Sequence, residues 1–398
     1  MGNIRNEKIL SELCPGCSLC ANSCPREAIE MRSDKEGFLF PEIDSDLCVD
    51  CGKCLLDCPQ IGRKELRDVN VKSVYACQAK SKEILIEATA GALFPVLASF
   101  VIGRGGVVYG AVYNDEMNVV HVAITKGEDI NRMNGSKYVQ SDIKNSISEA
   151  RQNLIMGKTV LFSGTPCQID ALNRICRDID RSHLFTIDVV CYGIPSPKLF
   201  HSYLSVLENK YQSKVRDFRF RDKHTYGWSH TTVIKMECRN GDLKVIEEPD
   251  YRKIPYFKMF AYRDCFRKSC YHCMYTSLHR ISDITTGNFW GIEKISVGFD
   301  SKQGVSMALL NTDKGIQLFN EIKSQMIIEK RSLEDAVKAN NALLEKCPYP
   351  KHRDDIYHNF IKHGFEFVEK KYYRETILFK AKHEVKTILK KVIRILPK

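Results

Sequence analysis

The run Cys14-x-x-Cys17-x-x-Cys20-x-x-x-Cys24-Pro25 recurs as Cys48-x-x-Cys51-x-x-Cys54-x-x-x-Cys58-Pro59. Thiolate is a soft ligand, and two-residue gaps let one tight loop set three sulfurs at three corners of a 4Fe–4S cube, leaving the fourth corner open. In paired runs of this kind the last cysteine crosses to the other cube. One cube is thereby assigned to Cys14, Cys17, Cys20 and Cys58, and its twin to Cys48, Cys51, Cys54 and Cys24. Structural zinc typically groups its ligands as two pairs per site, which two identical runs of four do not offer. Pro25 and Pro59 follow the crossing cysteines, where a fixed φ and a missing N–H redirect the chain. Between the runs, Gly37-Phe38-Leu39-Phe40-Pro41 reads as a hairpin strand. Residues 1–66 are therefore expected to form a small two-cluster module that moves single electrons.

At 398 residues and 43% hydrophobic content, the chain has room for such a module plus one or two domains with cores of their own. Seventeen cysteines behind a polar start with no signal peptide imply a reducing compartment, so a cytoplasmic location is expected. The most apolar window, Gly91 to Tyr113, contains Pro95, Arg104 and several glycines, and is broken well before the length of a membrane span. The net charge of +11 is concentrated at the end, where Lys370 to Lys398 holds ten Lys/Arg against Glu375 and Glu384. There Leu378, Ala381, Val385, Ile388, Leu389, Val392 and Leu396 recur at helical spacing. A basic amphipathic helix of this kind lies on an anionic membrane surface, docks on a partner, or packs on its own domain. Nothing beside it resembles a base-stacking or groove-reading module, so nucleic acid is not expected as a partner.

After a polar linker from Gly62 to Lys72, helices and strands alternate. Leu93, Val96, Leu97, Phe100 and Val101 mark one helical face, Val107 to Tyr113 a strand, and Asn118 to Ile124 its hairpin partner. Ile143, Ile147, Ala150 and Leu154 mark a helix, Thr159 to Ser163 a buried strand, Gln168 to Asp178 a helix and Leu184 to Val190 another strand. This is a βαβ unit, whose parallel strands deliver their carboxyl ends to one edge of a sheet, where α/β proteins bind ligands. Cys167 follows the first of these strands and Cys191 the second, so topology can bring them together. Cys265-x4-Cys270-x2-Cys273 offers three more thiols, suited either to a third cluster or to a zinc knuckle beside inert core cysteines. Gly157-Lys158-Thr159 is not the end of a phosphate loop, because Gln152 stands where its first glycine is required. Gly103-Arg104-Gly105-Gly106 likewise fails the dinucleotide fingerprint.

Taken in order, the cysteine pair of runs, Gly135-Ser136-Lys137-Tyr138-Val139-Gln140-Ser141, Gly164-Thr165-Pro166-Cys167-Gln168, Val190-Cys191-Tyr192-Gly193-Ile194-Pro195-Ser196-Pro197, Ser269-Cys270-Tyr271-His272-Cys273 and Ser282 to Gly291 resemble the family of coenzyme F-420 hydrogenase/dehydrogenase beta subunits. The resemblance covers residues 10 to about 330, and the fused ferredoxin resembles bacterial members associated with surface-polysaccharide synthesis. It implies an FAD in the central domain, a further [4Fe–4S] cluster on Cys167, Cys191, Cys270 and Cys273, and a flavin contacted by Gly91, Gly135, Ser136, Lys137, Tyr138, Gln140, Gly164 and Thr165. Lys137 and Tyr138 are the catalytic candidates, since a cation and a hydroxyl stabilise negative charge on a reduced ring. Two departures stand out. Ala88-Thr89-Ala90-Gly91-Ala92 replaces a Ser-Ser-Gly-Gly stretch, placing a methyl at Ala92 where a diphosphate would approach, and Asn288 replaces an acidic residue near Trp290.

The expected architecture is α+β and α/β: a ferredoxin-type module (1–66), a flavin-contacting region (67–155), an α/β domain with a third cluster (156–345) and a basic helical tail (346–398). The expected function is an iron–sulfur flavoprotein oxidoreductase that passes electrons between a redox carrier and a two-electron acceptor, either a deazaflavin coenzyme or a glycan-pathway substrate. The alternative is an electron-transfer subunit with no substrate of its own that docks on a partner enzyme.

Overall fold

The computed structural model describes residues 3–4, 8–61 and 71–374. The amphipathic stripe from Leu378 to Leu396 lies outside the described residues. No helix among the described residues is long and apolar enough to cross a membrane.

The N-terminal module is built on its repeat. In the first run φ is positive at Gly16 (67°) and Ser18 (61°), and in the second at the equivalent Asp50 (48°) and Gly52 (76°). Identical spacing has thus produced identical loops, at the strain of a left-handed conformation for the two non-glycine residues. Each run continues into one short helix, Leu19–Ser23 or Lys53–Asp57. The hairpin of β1 (Ile29–Ser33) and β2 (Leu39–Ile43) completes the module. β2 starts two residues later than the sequence suggests, because Gly37, at φ 91°, closes a turn in which Asp34 O and Oδ1 accept from Gly37 N and Phe38 N.

Behind it stands one eight-stranded mixed sheet. β3 (Ser73–Ala79), β4 (Val107–Tyr113), β5 (Val119–Ile124), β6 (Val160–Gly164) and β7 (Leu184–Val189) come first. β8 (Ser213–Arg219), β9 (Thr232–Cys238) and β10 (Leu243–Glu248) form a separate antiparallel sheet, after which β11 (Ile284–Asn288), β12 (Ser306–Leu310) and β13 (Met326–Arg331) return to the large one. Its order is β13-β3-β12-β11-β7-β6-β4-β5, with β4, β6, β7 and β11 parallel and the outer strands antiparallel. Strands from 67–155 and from 156–345 therefore share a single sheet.

Alternation along the strands explains the layers. Val108, Val112, Leu161 and Ile187 pack under helices Leu93–Gly103 and Asp313–Ile322, while Val107, Tyr109, Val160 and Phe162 pack under helices Ser146–Ile155 and Pro166–Ile175. The latter helix begins two residues before the expected Gln168. Pro166 occupies its first turn, and Thr165 with Gln168 forms a capping box. The cluster module docks on this second face, where Asn22 Nδ2 donates to Lys144 O (2.8 Å), Ser148 N to Asn22 Oδ1 (3.1 Å) and Arg177 Nη2 to Asp57 Oδ1 (2.9 Å).

Candidate functional site

A cavity of about 610 Å³ opens at the carboxyl ends of the parallel strands, lined by Ala111 of β4, Gly164 of β6, Val189 of β7 and Gly287 of β11. Gly135, Ser136, Lys137, Tyr138, Gln140 and Thr165 also line it. Gly91 does not: a Cβ there would stand 2.0 Å from Cys77 O and 2.5 Å from Ser306 N, so this glycine lets the chain pass over β3 and β12 and does not open a path to a ligand. Its neighbour Ala92 does line the cavity, in the left-handed conformation (φ 63°) at the start of helix Leu93–Gly103. The helix thus directs its first turn at the cavity, and Ala92 carries the conformational cost of a residue with a Cβ.

The 135–141 segment is held in place from both sides. Ser136 Oγ donates to Thr89 Oγ1 (3.4 Å), and Tyr256 Oη donates to Tyr138 O (2.8 Å). Lys137 Nζ turns back to Asn134 O (3.0 Å) and, more loosely, to Met133 O and Gly135 O. Loss of water around its ammonium lowers its pKa to about 8, against the pull of Asp217. Tyr138 stacks on Phe260 (3.9 Å between centroids, 19°), and its Oη accepts from Arg221 Nε at 2.7 Å.

Arg221 is a cavity residue that the sequence reading missed. Its guanidinium lies 5.1 Å from the Trp290 ring, and its Nη1 is buried with no partner among the described residues. His121 and His230 also line the cavity. Burial lowers both to about 4, so each is neutral at physiological pH. His121 is fully engaged, with Nδ1 2.6 Å from Ser141 Oγ and Nε2 3.0 Å from Ser163 O. The only local signal for Arg221 is the alternating Phe218-Arg219-Phe220-Arg221, which by itself reads as a solvated strand edge.

Beside the cavity and sharing its wall is a recess lined by Cys167, Cys191, Cys270 and Cys273. The first sits in the opening turn of helix Pro166–Ile175, the second just past β7, the third in the short helix Lys268–Tyr271 and the last just beyond it. Burial raises Cys167 and Cys270 to about 12 and Cys191 further, with mutual repulsion among the thiolates as a lesser cause. Cys265 is elsewhere, wholly buried in an aromatic core with Phe266, Tyr271 and Tyr357. The N-terminal cysteines are graded: Cys14, Cys17 and Cys58 are buried, whereas Cys51 is exposed. Cys17 packs in the same cluster as Cys167 and Cys273, so the first run faces the recess, whereas Cys51 of the second run faces solvent.

Residues 13–60 match the family of 4Fe-4S dicluster domains, and residues 157–336 match the family described as the C terminus of the coenzyme F420 hydrogenase/dehydrogenase beta subunit. The chain is 24% identical over 333 residues to the F subunit of the F(420)H(2) dehydrogenase of Methanosarcina mazei, spanning 81% of this chain and 86% of that one. Among solved structures it is similar to a chain of the F420-reducing [NiFe] hydrogenase complex from Methanosarcina barkeri, studied by xenon derivatization, at 19% identity and a TM-score of 0.44 over 76% of this chain and 91% of that one. A dicluster module seated on a mixed α/β domain defines an iron–sulfur electron-transfer protein of the oxidoreductase class. Over residues 157–336 the chain is similar to the C-terminal part of coenzyme F420 hydrogenase/dehydrogenase beta subunits, and over residues 13–60 to 4Fe-4S dicluster domains.

Proposed function

We propose that the protein is an iron–sulfur flavoprotein whose residues form an inward electron path, from the outer cysteine set through the inner set and the four-cysteine recess to a flavin cavity. The observation that carries this reading is the convergence of Cys167, Cys191, Cys270 and Cys273 on one recess that adjoins both Cys17 and the cavity. The residues suit a cluster there. These four thiols line the recess together, the soft donor set that iron–sulfur clusters take. Orphaned buried donors stand beside the cysteine runs: Ser18 Oγ, Ser23 Oγ, Ser269 Oγ and Arg267 Nη2. Cluster sulfides are the acceptors such donors lack.

The cavity suits a flavin by its position at the strand ends, its aromatic wall and the helix start at Leu93. When bound, FAD supplies conversion between one-electron and two-electron transfer. Lys137 supplies a positive charge below pH 8, Arg221 an unpaired N–H, and Tyr138 a hydroxyl fixed by that same arginine. A deazaflavin acceptor is favoured over a glycan precursor by the resemblance to one component of a dehydrogenase whose name includes F(420)H(2). That relative is named as a subunit, which also favours a partner enzyme.

Stoichiometric reduction tests the reading. Three one-electron clusters and a two-electron flavin take up about five electrons per chain in an anaerobic dithionite titration, and the dicluster module alone takes about two. Two would remove both the recess cluster and the flavin. A pH series tests the cavity. Because Lys137 loses its proton near pH 8, FAD affinity is expected to fall as pH rises from 7 to 9, by about tenfold if one charge-assisted hydrogen bond worth ~1.5 kcal/mol is lost. The step should vanish in Lys137→Met; an unchanged step in that variant would free Lys137 of the role.

A further inference from the structure

Arg267 is 1% exposed and stands where three parts of the chain meet. Its Nε donates to Cys14 O at 2.6 Å, its Nη1 reaches Gln140 Oε1 at 3.5 Å, and its guanidinium lies 3.8 Å from the Phe40 ring. It also precedes Cys270, one of the four cysteines of the recess, by three residues. Its Nη2 and the Nε2 of Gln140 are both buried without a partner among the described residues. The Cys14–Cys17 loop is pressed against these donors: a Cβ on Gly16 would lie 2.4 Å from Gln140 Nε2 and 3.1 Å from Arg267 Nη1.

Burial by itself opposes an inward path. Adding an electron to a cluster adds negative charge, and low polarity disfavours that charge. The inner set, with Cys14 at 8% and Cys17 at 7% exposure, would then be harder to reduce than the outer set around exposed Cys51. A buried cation with free N–H groups reverses the sign, because charge and hydrogen bonds to sulfur stabilise the reduced form.

We propose that Arg267, with Gln140, is the positioning residue that raises the reduction potentials of the inner N-terminal site and the four-cysteine recess above that of the outer site, and so sets the direction of electron flow. This rests on the reading that both inner cysteine sets hold clusters. No bond or proton changes hands; a one-electron carrier is oxidised as a cluster is reduced.

The test is a redox titration of the full chain followed by electron paramagnetic resonance, with iron counted in each variant. In Arg267→Gln the reduced-to-oxidised ratio of the inner sites at fixed potential is expected to fall at least tenfold, equivalent to about 59 mV for a one-electron couple. The outer site should not move, and Arg267→Lys, which keeps the charge, should retain most of the wild-type potential. Gln140→Glu preserves shape but sets a carboxylate against the guanidinium, and the same downward shift is expected. This variant decides the matter if Arg267→Gln does not hold its full iron. Inner potentials unmoved in an iron-replete variant, or moved equally with the outer one, overturn the role of Arg267 alone. Absence of inner-site signals in the wild type overturns the reading beneath it.

Discussion

Replacing Cys270 and Cys273 together by serine is expected to lower iron from about twelve atoms per chain to about eight, with acid-labile sulfide falling in step. Both residues line the recess with Cys167 and Cys191, and both come from one short segment, so the double change removes half of the ligands without touching the strand ends that carry the other two. Serine is a harder and far less acidic ligand than cysteine and does not replace thiolate on iron at neutral pH. The N-terminal runs hold all eight of their own cysteines and should keep their spectroscopic signals. A zinc knuckle predicts the opposite pattern, iron unchanged and about one zinc lost, and would remove the recess cluster from the proposed path.

Cys167 and Cys191 could be placed from sequence because a short parallel βαβ unit leaves little choice: β6 pairs with β7 from Val160↔Leu184 to Gly164↔Asp188, and each cysteine follows its own strand. Choosing Cys270 over Cys265 was beyond spacing alone, since what separates them is the aromatic core that closes on Cys265. The repeat of the first sixty residues was legible because ligand spacing dictates loop conformation directly. Gly91 was expected at the flavin, and the structure places it off the cavity wall. The backbone that crowds it belongs to Cys77 and Ser306, which stand 229 residues apart on paired strands, and no local pattern shows that pairing. The buried Arg267 and Arg353 and the half-buried Arg221 were invisible for the same reason. Arg221, Arg267 and Arg353 read as surface charge until the fold supplies their distant partners.

Arg353 leads to the second large effect, since Glu36→Ala is expected to cost ~3–5 kcal/mol of stability. The Arg353 side chain is wholly buried and meets the Glu36 carboxylate through both terminal nitrogens, at 2.8 and 2.5 Å, across 317 residues of sequence. Its Nε donates to Phe266 O, and the guanidinium lies 4.3 Å from the Tyr357 ring. Removing Glu36 leaves that cation in a dry site where, among the described residues, Asp354, with its side chain 62% exposed, is the remaining ion-pair partner. Because Glu36 sits in the β1–β2 turn, the damage should fall on the docking of the cluster module. Denaturant unfolding measured beside Glu36→Gln, which keeps a hydrogen bond but not the charge, separates the two contributions. An unfolding free energy within about 1 kcal/mol of wild type in both variants would show the pair to be idle.

The order of strands in the large sheet governs how the molecule is made. β3 is synthesised early but lies between β12 and β13, whose residues begin at Ser306 and Met326. On the ribosome it therefore waits, unpaired, for more than half of the polypeptide, and this long closure slows its incorporation. In the proposed ligand assignment the two cysteine runs complete one another's sites, and both are translated before β3 appears. Cofactor delivery can therefore precede completion of the domain that will use it, and a nascent chain starved of iron would reach the sheet-closing stage with an unformed platform on which Asn22, Glu36 and Asp57 are meant to dock.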